Sequence, residues 1–224
     1  MLLRFSMLAA VFLFSCTGVE RDNPYDSGGI NYKKGNSSSS SVKPLSSSSV
    51  FACSNVGGYS CDMSGYRTVE INGQVWMAQN LNCDVEGSYC YDRKTENCDR
   101  YGRLYDWCTA KVICPSGWHL PSNEEWQELV DFAGGKDVAG KYLKADNGWY
   151  HYGKPSGNGE DKFDFSALPG GRGDYGSFNN IGTIGYWWSA SDYGDILFMD
   201  GSESAALGNV SNKNVLFSVR CLKN

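Results

Sequence analysis

The stretch Gly117-Trp118-His119-Leu120-Pro121-Ser122-Asn123-Glu124-Glu125-Trp126 carries one of the chain's two histidines and a pair of adjacent glutamates. Taken as chemistry, it offers an acid–base pair or metal ligands. Taken as local structure, it is the start of a helix. Ser122 is followed three residues later by Glu125, the spacing at which each side chain satisfies a free backbone N–H of the first turn. Pro121 precedes the cap, and the acidic residues suit the positive end of a helix. Trp126, Leu129, Val130 and Ala133 then recur at i, i+3, i+4 and i+7, which makes one apolar face. Gly134-Gly135 stops the helix. Glu125 thus has a structural task, and Glu124 and Glu128 face water. His119, set between Trp118 and Leu120, reads as a packed, hydrogen-bonded scaffold residue. A general base needs a partner within hydrogen-bond reach, and no G-x-S-x-G, H-E-x-x-H or Cys–His signature accompanies it. For His151, in Trp149-Tyr150-His151-Tyr152-Gly153, the sequence alone assigns no acidic partner. The sequence therefore predicts a protein that is not an enzyme.

Outward from this helix the chain changes character. Residues 1–15 hold one early cation, Arg4, then an apolar run too short to cross a bilayer, which is the form of a signal peptide. Leu13-Phe14-Ser15-Cys16 resembles the bacterial lipobox, so Cys16 is the expected lipidation site. The expected location follows: exported and lipid-anchored to the bacterial outer membrane, on the cell surface. Residues 16–50 are polar and then almost pure serine. Such a segment buries too little apolar surface to offset its ordering entropy and reads as a tether. Residues 51–224 hold nearly all the aromatics and suffice for one domain with a real core.

After loss of residues 1–15, 19 basic residues stand against 25 acidic ones, a net charge of −6. That balance, with no basic run, offers no footprint for nucleic acid and no polybasic attraction to lipid. A membrane is then a partner only through the acyl chains on Cys16. Of nine cysteines, eight remain once Cys16 carries lipid. In an exported chain these read as disulfides, with about a hundred possible pairings, and no C-x-x-C pair suggests zinc.

Within the module, "RTVEINGQVWMAQNLN" alternates about Asn72-Gly73, a hairpin dipeptide. "GYWWSAS", "GDILFMD", "AALGNVS" and "VLFSVRCL" read as further short strands. Strands without βαβ alternation, plus one confident helix, give an α+β class. Arg172-Gly173-Asp174 reads as part of a glycine-rich loop. Glu160, Asp161 and Asp164 present the oxygen ligands that calcium takes, but without EF-hand spacing, and no other cofactor is implied. Trp149, Tyr150 and Tyr152, with Tyr186 and Trp188, are the candidate ligand-binding rings, since flat rings with polar edges suit pyranose faces and protein interfaces. Trp149 and Tyr150 are expected to be exposed. Trp187 and Trp188 alternate on a strand, so at least one of them should be core.

"INGQVWMAQNLN", "SYCYDRKTENCDRYGRLYDW", "CPSGWHLPSNEEW", "FSALPGG", "GYWWSAS" and "FSVRCLKN" together resemble the Fibrobacter succinogenes major paralogous domain, in order from about residue 66 to the end. The leading "ERDNPYDSGG" and the serine tract resemble surface lipoproteins that carry it. The resemblance implies a C-type-lectin-like fold of short antiparallel strands with one or two helices. "GWHLPSNEEW" is also similar to the "RLPTEAEWE" block of formylglycine-generating enzymes. Their activity needs a reactive cysteine pair, or a copper site made from it. Here Cys221 alone lies near the C-terminus, so the activity does not carry over. The Glu-Pro-Asn, Gln-Pro-Asp and Trp-Asn-Asp sugar motifs of calcium-dependent lectins are missing too. One departure stands out. The family is tyrosine-rich before its final strand, whereas "GDILFMDGSESAALGNVSN" has Phe198 as its one aromatic. The resemblance also implies a pairing: Cys90–Cys98 across a local loop, Cys114–Cys221 between two family blocks, and Cys83–Cys108 and Cys53–Cys61 from those remaining. The expected function is non-catalytic binding of polysaccharide or another surface protein, with a purely structural envelope component as the alternative.

Overall fold

A computed structural model describes Cys53, Tyr59 and residues 61–151, 156–174, 176–191, 194–212 and 215–224. The expected signal peptide, Cys16 and the tether lie outside the described residues, as does Tyr152. The remainder is a disulfide-stabilised α+β module.

Asn72-Gly73 makes the expected hairpin. Both residues take positive φ, 52° and 75°, as a tight turn between twisted strands requires. The turn joins β1 (Thr68–Ile71) to β2 (Gln74–Met77). The C-terminal strand β9 (Leu222–Lys223) pairs with β2, through Trp76 and Leu222. On its other side it pairs with β3 (Trp118–His119), giving the order β1-β2-β9-β3. A second sheet is the meander β6 (Gly185–Trp188), β7 (Asp195–Met199) and β8 (Ala205–Asn209). A short hairpin pairs β4 (Arg172–Asp174) with β5 (Ser177–Asn179), so Arg172-Gly173-Asp174 is a strand rather than a loop.

Helix α3 (Asn123–Phe132) has the full capping box. Ser122 Oγ accepts from the Glu125 N–H, and the Glu125 carboxylate accepts from the Ser122 N–H. Three short helices went unread in the sequence: α1 (Thr95–Tyr101), α2 (Trp107–Ala110) and α4 (Ala139–Leu143). Each is too short to show an apolar period. The expected strand "VLFSVRCL" is spread over several partners. Leu216, Phe217 and Ser218 make single bridges to Gly173, Tyr105 and Trp187, and a regular ladder forms at β9 alone.

Two apolar clusters share the β6 strand. Trp187 packs with Trp76, Trp126, Phe165 and Leu197, and Trp188 packs with Met77, Tyr105 and Phe217. Both neighbouring tryptophans are therefore fully buried. Their N–H groups are used inside: Trp187 donates to Asn80 Oδ1 at 2.8 Å, and Trp188 to the Tyr105 carbonyl at 2.7 Å.

Two buried cations hold the irregular chain. Arg220 is fully buried. Its Nε donates to Asn80 Oδ1 at 2.9 Å, Nη2 to the Ser166 carbonyl at 2.8 Å, and Nη1 to the carbonyls of Met77 and Phe165. Its guanidinium lies 4.3 Å from the centre of the Phe165 ring. Burial lowers its pKa and the Asp161 carboxylate opposes that fall. The second cation, Lys144, donates from Nζ to the carbonyls of Gly157, Asp200 and Ser202 at 2.6, 2.8 and 2.6 Å.

The bridges are Cys53–Cys108, Cys61–Cys83, Cys90–Cys98 and Cys114–Cys221. The expected Cys53–Cys61 and Cys83–Cys108 pairs are thus exchanged. Cys61 is buried in the cluster that Cys83 also packs against, while Cys53 reaches the first turn of α2. The nearest cysteine in sequence is not the nearest in space. Cys114–Cys221 spans 107 residues and contributes up to about 4.7 kcal/mol by the chain-entropy argument.

Replacing Arg220 by Ala strands the carbonyls of Phe165 and Ser166 and opens a cavity. We expect a loss of about 3–5 kcal/mol in urea unfolding of the oxidised protein. A loss under 1 kcal/mol would show that the buried cation is dispensable.

Tyr105 supplies a pH test. Its hydroxyl donates to the Cys83 carbonyl at 3.0 Å and accepts from the Cys83 N–H at 2.8 Å, and burial raises its pKa far above the ordinary 10.0. The folded state holds the proton after the unfolded state releases it. Its contribution is therefore complete below pH 10 and falls as pH rises, by up to about 1.4 kcal/mol per unit. Burial raises Tyr66 and Tyr186 in the same direction. Stability should decline above that pH, and Tyr105→Phe should flatten the decline; an unchanged slope in the variant would refute the assignment.

Candidate functional site

His119 has both ring nitrogens engaged. Nε2 lies 2.8 Å from Glu125 Oε1, and Nδ1 lies 2.7 Å from Oδ1 of Asn224. The ring therefore links the first turn of α3 to the last residue of the chain. Glu125 serves two partners, His119 through Oε1 and the Ser122 N–H through Oε2. This geometry leaves neither nitrogen open to a third group in the present arrangement.

The candidate rings divide. Trp149 is 3% exposed, and its indole donates to the Ala167 carbonyl at 2.8 Å, so it is core and not an exposed loop residue. Trp188 is likewise core, because the strand that carries it is covered on both faces. Tyr186 is half-buried and stacks on Phe217 at 5.0 Å. Tyr150 stays exposed, at 56%. The candidate calcium acids do not converge. Both carboxylate oxygens of Asp161 accept from Ser166, one from the N–H and one from the hydroxyl, each at 2.6 Å. Glu160 instead pairs with Lys141 at 3.2 Å. Among the described residues, no group of three or more His, Cys, Asp or Glu is placed to hold a metal.

Two surface features were not read from the sequence. The first is an aromatic shelf. Phe132 ends α3 and is 46% exposed. Its ring meets Phe163 at 5.4 Å, and Phe163 meets Tyr142 of α4 edge-on at 6.4 Å. Lys162 lies over Tyr142 at 4.7 Å and Lys141 over the same ring at 5.5 Å. One trace was available: Phe132 falls off the apolar face of α3, which marks a large ring pointing away from the main core.

The second is a pocket of about 200 Å³ whose lining includes Arg67, Gln79, Asp146, Asn147, Asp161 and Ser166. Its walls come from three places: the entry and exit of the first hairpin, the turn after α4, and the loop before Ala167. Arg67 donates from Nη2 to the Ala78 carbonyl at 3.2 Å, and Gln79 Oε1 accepts from the Arg67 N–H at 3.4 Å. Asp146 Oδ1 accepts from the Asn147 amide at 2.7 Å. No sequence period places these residues together, because the strand order and the buried cations do.

The architecture defines a small disulfide-stabilised α+β module with a packed tryptophan core. The chain belongs to the Fibrobacter succinogenes major domain family, whose sequence description matches residues 69–223. No curated protein and no solved structure matches it.

If His119 is scaffold, His119→Ala removes two hydrogen bonds at a partly exposed site. We expect a cost of about 1–2 kcal/mol in urea unfolding, with the capping box retained. An unchanged midpoint would remove His119 from the scaffold.

Proposed function

We propose that the mature chain is a lipoprotein, anchored through Cys16 to the bacterial outer membrane at the cell surface, whose C-type-lectin-like module binds polysaccharide without catalysing a reaction. The surface shelf of exposed Phe132 with the half-buried Phe163 and Tyr142 carries this reading. Large rings left at a surface are a recognition device, and rings accept sugar faces through their C–H edges. Phe163 packs on the main apolar cluster, and buried Lys144 follows Tyr142 by two residues, which holds the shelf in place and lowers the entropy cost of binding. Tyr150 adds a further exposed ring. The saturation of His119 by Glu125 and Asn224 supports a non-catalytic role. A protein ligand on the same shelf is the second reading, favoured by the lysines that flank the rings.

The test is co-sedimentation of the oxidised mature chain with insoluble cellulose, xylan and mannan, beside a Phe132→Ala/Tyr142→Ala variant. Retention of the native chain by at least one polymer is expected, with a loss of about tenfold, or 1.4 kcal/mol, in the variant. No retention by the native chain rejects the glycan reading, and a surface protein recovered by crosslinking would then support the second. In cell fractions, Cys16→Ser should move the protein from membrane to soluble; a protein that stays with the membrane would reject the anchor.

A further inference from the structure

We infer that the pocket between Arg67 and Asp146 is a subsite for one neutral sugar ring. The inference deepens the glycan reading but stands on different residues from the shelf.

Its size comes first. About 200 Å³ is below the roughly 300–1,000 Å³ of a drug-sized site, which leaves room for a single ring rather than a chain. Its chemistry comes second. The polar lining mixes donors and acceptors in near balance, as a ring of hydroxyls demands, each hydroxyl being both donor and acceptor. Beyond its bond to Ala78, Arg67 has guanidinium N–H groups with no acceptor among the described residues. Asp146 keeps Oδ2 without a donor there, and the Gln79 amide keeps its N–H groups. A guanidinium and a carboxylate lining one pocket supply both a donor and an acceptor for sugar hydroxyls. Ala78, Ala145 and Leu168 give the small apolar wall on which a ring's C–H face rests.

Charge selects the class. Asp146 and Asp161 oppose the one cation in the lining, Arg67. The buried Arg220 guanidinium, held on the Ser166 carbonyl behind the lining, balances the second carboxylate, and two charges of each sign leave the pocket near neutral, which favours an uncharged sugar.

The walls are also fixed in advance. Asp161, Asp164 and Ser166 all take positive φ, at 44°, 54° and 51°, although none is glycine. Three such residues within six positions cost free energy that the surroundings must hold, and strain of this kind gathers at ligand sites. The surroundings here are the two buried cations. The Ser166 carbonyl is held by Arg220, and Lys144 immediately precedes the Ala145–Asn147 wall. The Ala145 N–H donates to the Ala167 carbonyl at 3.0 Å, and the Asp161 N–H to the Lys144 carbonyl at 3.1 Å, which ties the walls to each other.

The experiment is an NMR titration of the oxidised mature chain, carrying Cys16→Ser for solubility. The probes are glucose, galactose, mannose, xylose and N-acetylglucosamine, with glucuronate as the anionic comparison. At least one neutral sugar should shift the Gln79 and Asn147 side-chain amides saturably, with a dissociation constant of about 1 mM. Glucuronate should bind at least tenfold more weakly. Asp146→Asn, an exposed and isosteric change, should weaken the sugar by about tenfold while other resonances stay in place. The proposal fails if no sugar shifts those amides by about 50 mM, if the shifts fall on Phe163 and Tyr142 instead, or if Asp146→Asn binds as well as the native chain. If polysaccharide retention depends on the shelf while the pocket stays silent, adhesion stands and this subsite falls. If the pocket titrates while no polymer is retained, the reverse holds.

Discussion

The module is organised around a positive charge that has been taken out of water. Removing a guanidinium from solvent costs several kcal/mol even after relaxation. That cost is offset only if nearly every N–H finds an acceptor, so the acceptors cannot move. For Arg220 they are Asn80, Met77, Phe165 and Ser166, which lie far apart in sequence and meet at one side chain. Asn80 then accepts from Trp187 and donates to the Tyr101 carbonyl and Ser218 Oγ. A single buried cation thus fixes the first hairpin, the Phe165 loop, the β6 strand and the C-terminal segment relative to one another. Lys144 does the same for the carbonyls of Gly157, Asp200 and Ser202. Regular ladders are short here, and these carbonyls lie in loops between them. In this protein, side-chain cations supply the donors that a longer sheet would have supplied from its backbone.

That arrangement explains which parts of the fold were legible. The hairpin at Asn72-Gly73 and the capping box at Ser122 are local devices, complete within a few residues, and the sequence shows them whole. The three strands of the Gly185–Asn209 meander also alternate with clear turns. The C-terminal segment does not behave as one strand, because its partners are Gly173, Tyr105 and Trp187 in turn, and no pattern in "VLFSVRCL" encodes that. Three of the blocks that carry the family resemblance, "INGQVWMAQNLN", "FSALPGG" and "FSVRCLKN", supply Asn80, Ser166 and Arg220. Read singly they look like unrelated polar residues. In space they are one hydrogen-bonded unit, which gives a physical reason for those blocks to occur together.

Two of the candidate rings, Trp149 and Trp188, are buried for a related reason, whereas Tyr150 is exposed as expected. Alternation on a strand assigns one face to the core and the other to solvent. That rule fails for Trp187 and Trp188 because β6 runs between two apolar clusters. Trp149 was read as exposed from its glycine- and tyrosine-rich neighbours. Its indole N–H instead meets the Ala167 carbonyl, a partner eighteen residues away that the sequence does not announce. Tryptophan combines a large apolar area with a single donor, and five of the seven in this chain use that donor on an interior backbone carbonyl or on Asn80. Of the shelf rings, exposed Phe132 and half-buried Tyr142 lie at helix positions with no motif around them. The disulfides show the same limit, since Cys53 and Cys61 are close along the chain but bond to different partners, Cys108 and Cys83.

On the proposed function, a platform with a small polar pocket and an aromatic shelf suits weak, repeated contact better than tight capture. A sugar ring of about a dozen non-hydrogen atoms, at about 0.3 kcal/mol per atom, gains about 4 kcal/mol, which corresponds to about 1 mM. Such an affinity is of little use to a free monomer. On the proposed surface display, many copies would change the arithmetic, because each contact after the first is intramolecular at a millimolar effective concentration. On this view, stability and function call on the same residues: the buried cations hold the walls still, and still walls let a weak site bind without spending part of its small affinity on ordering itself.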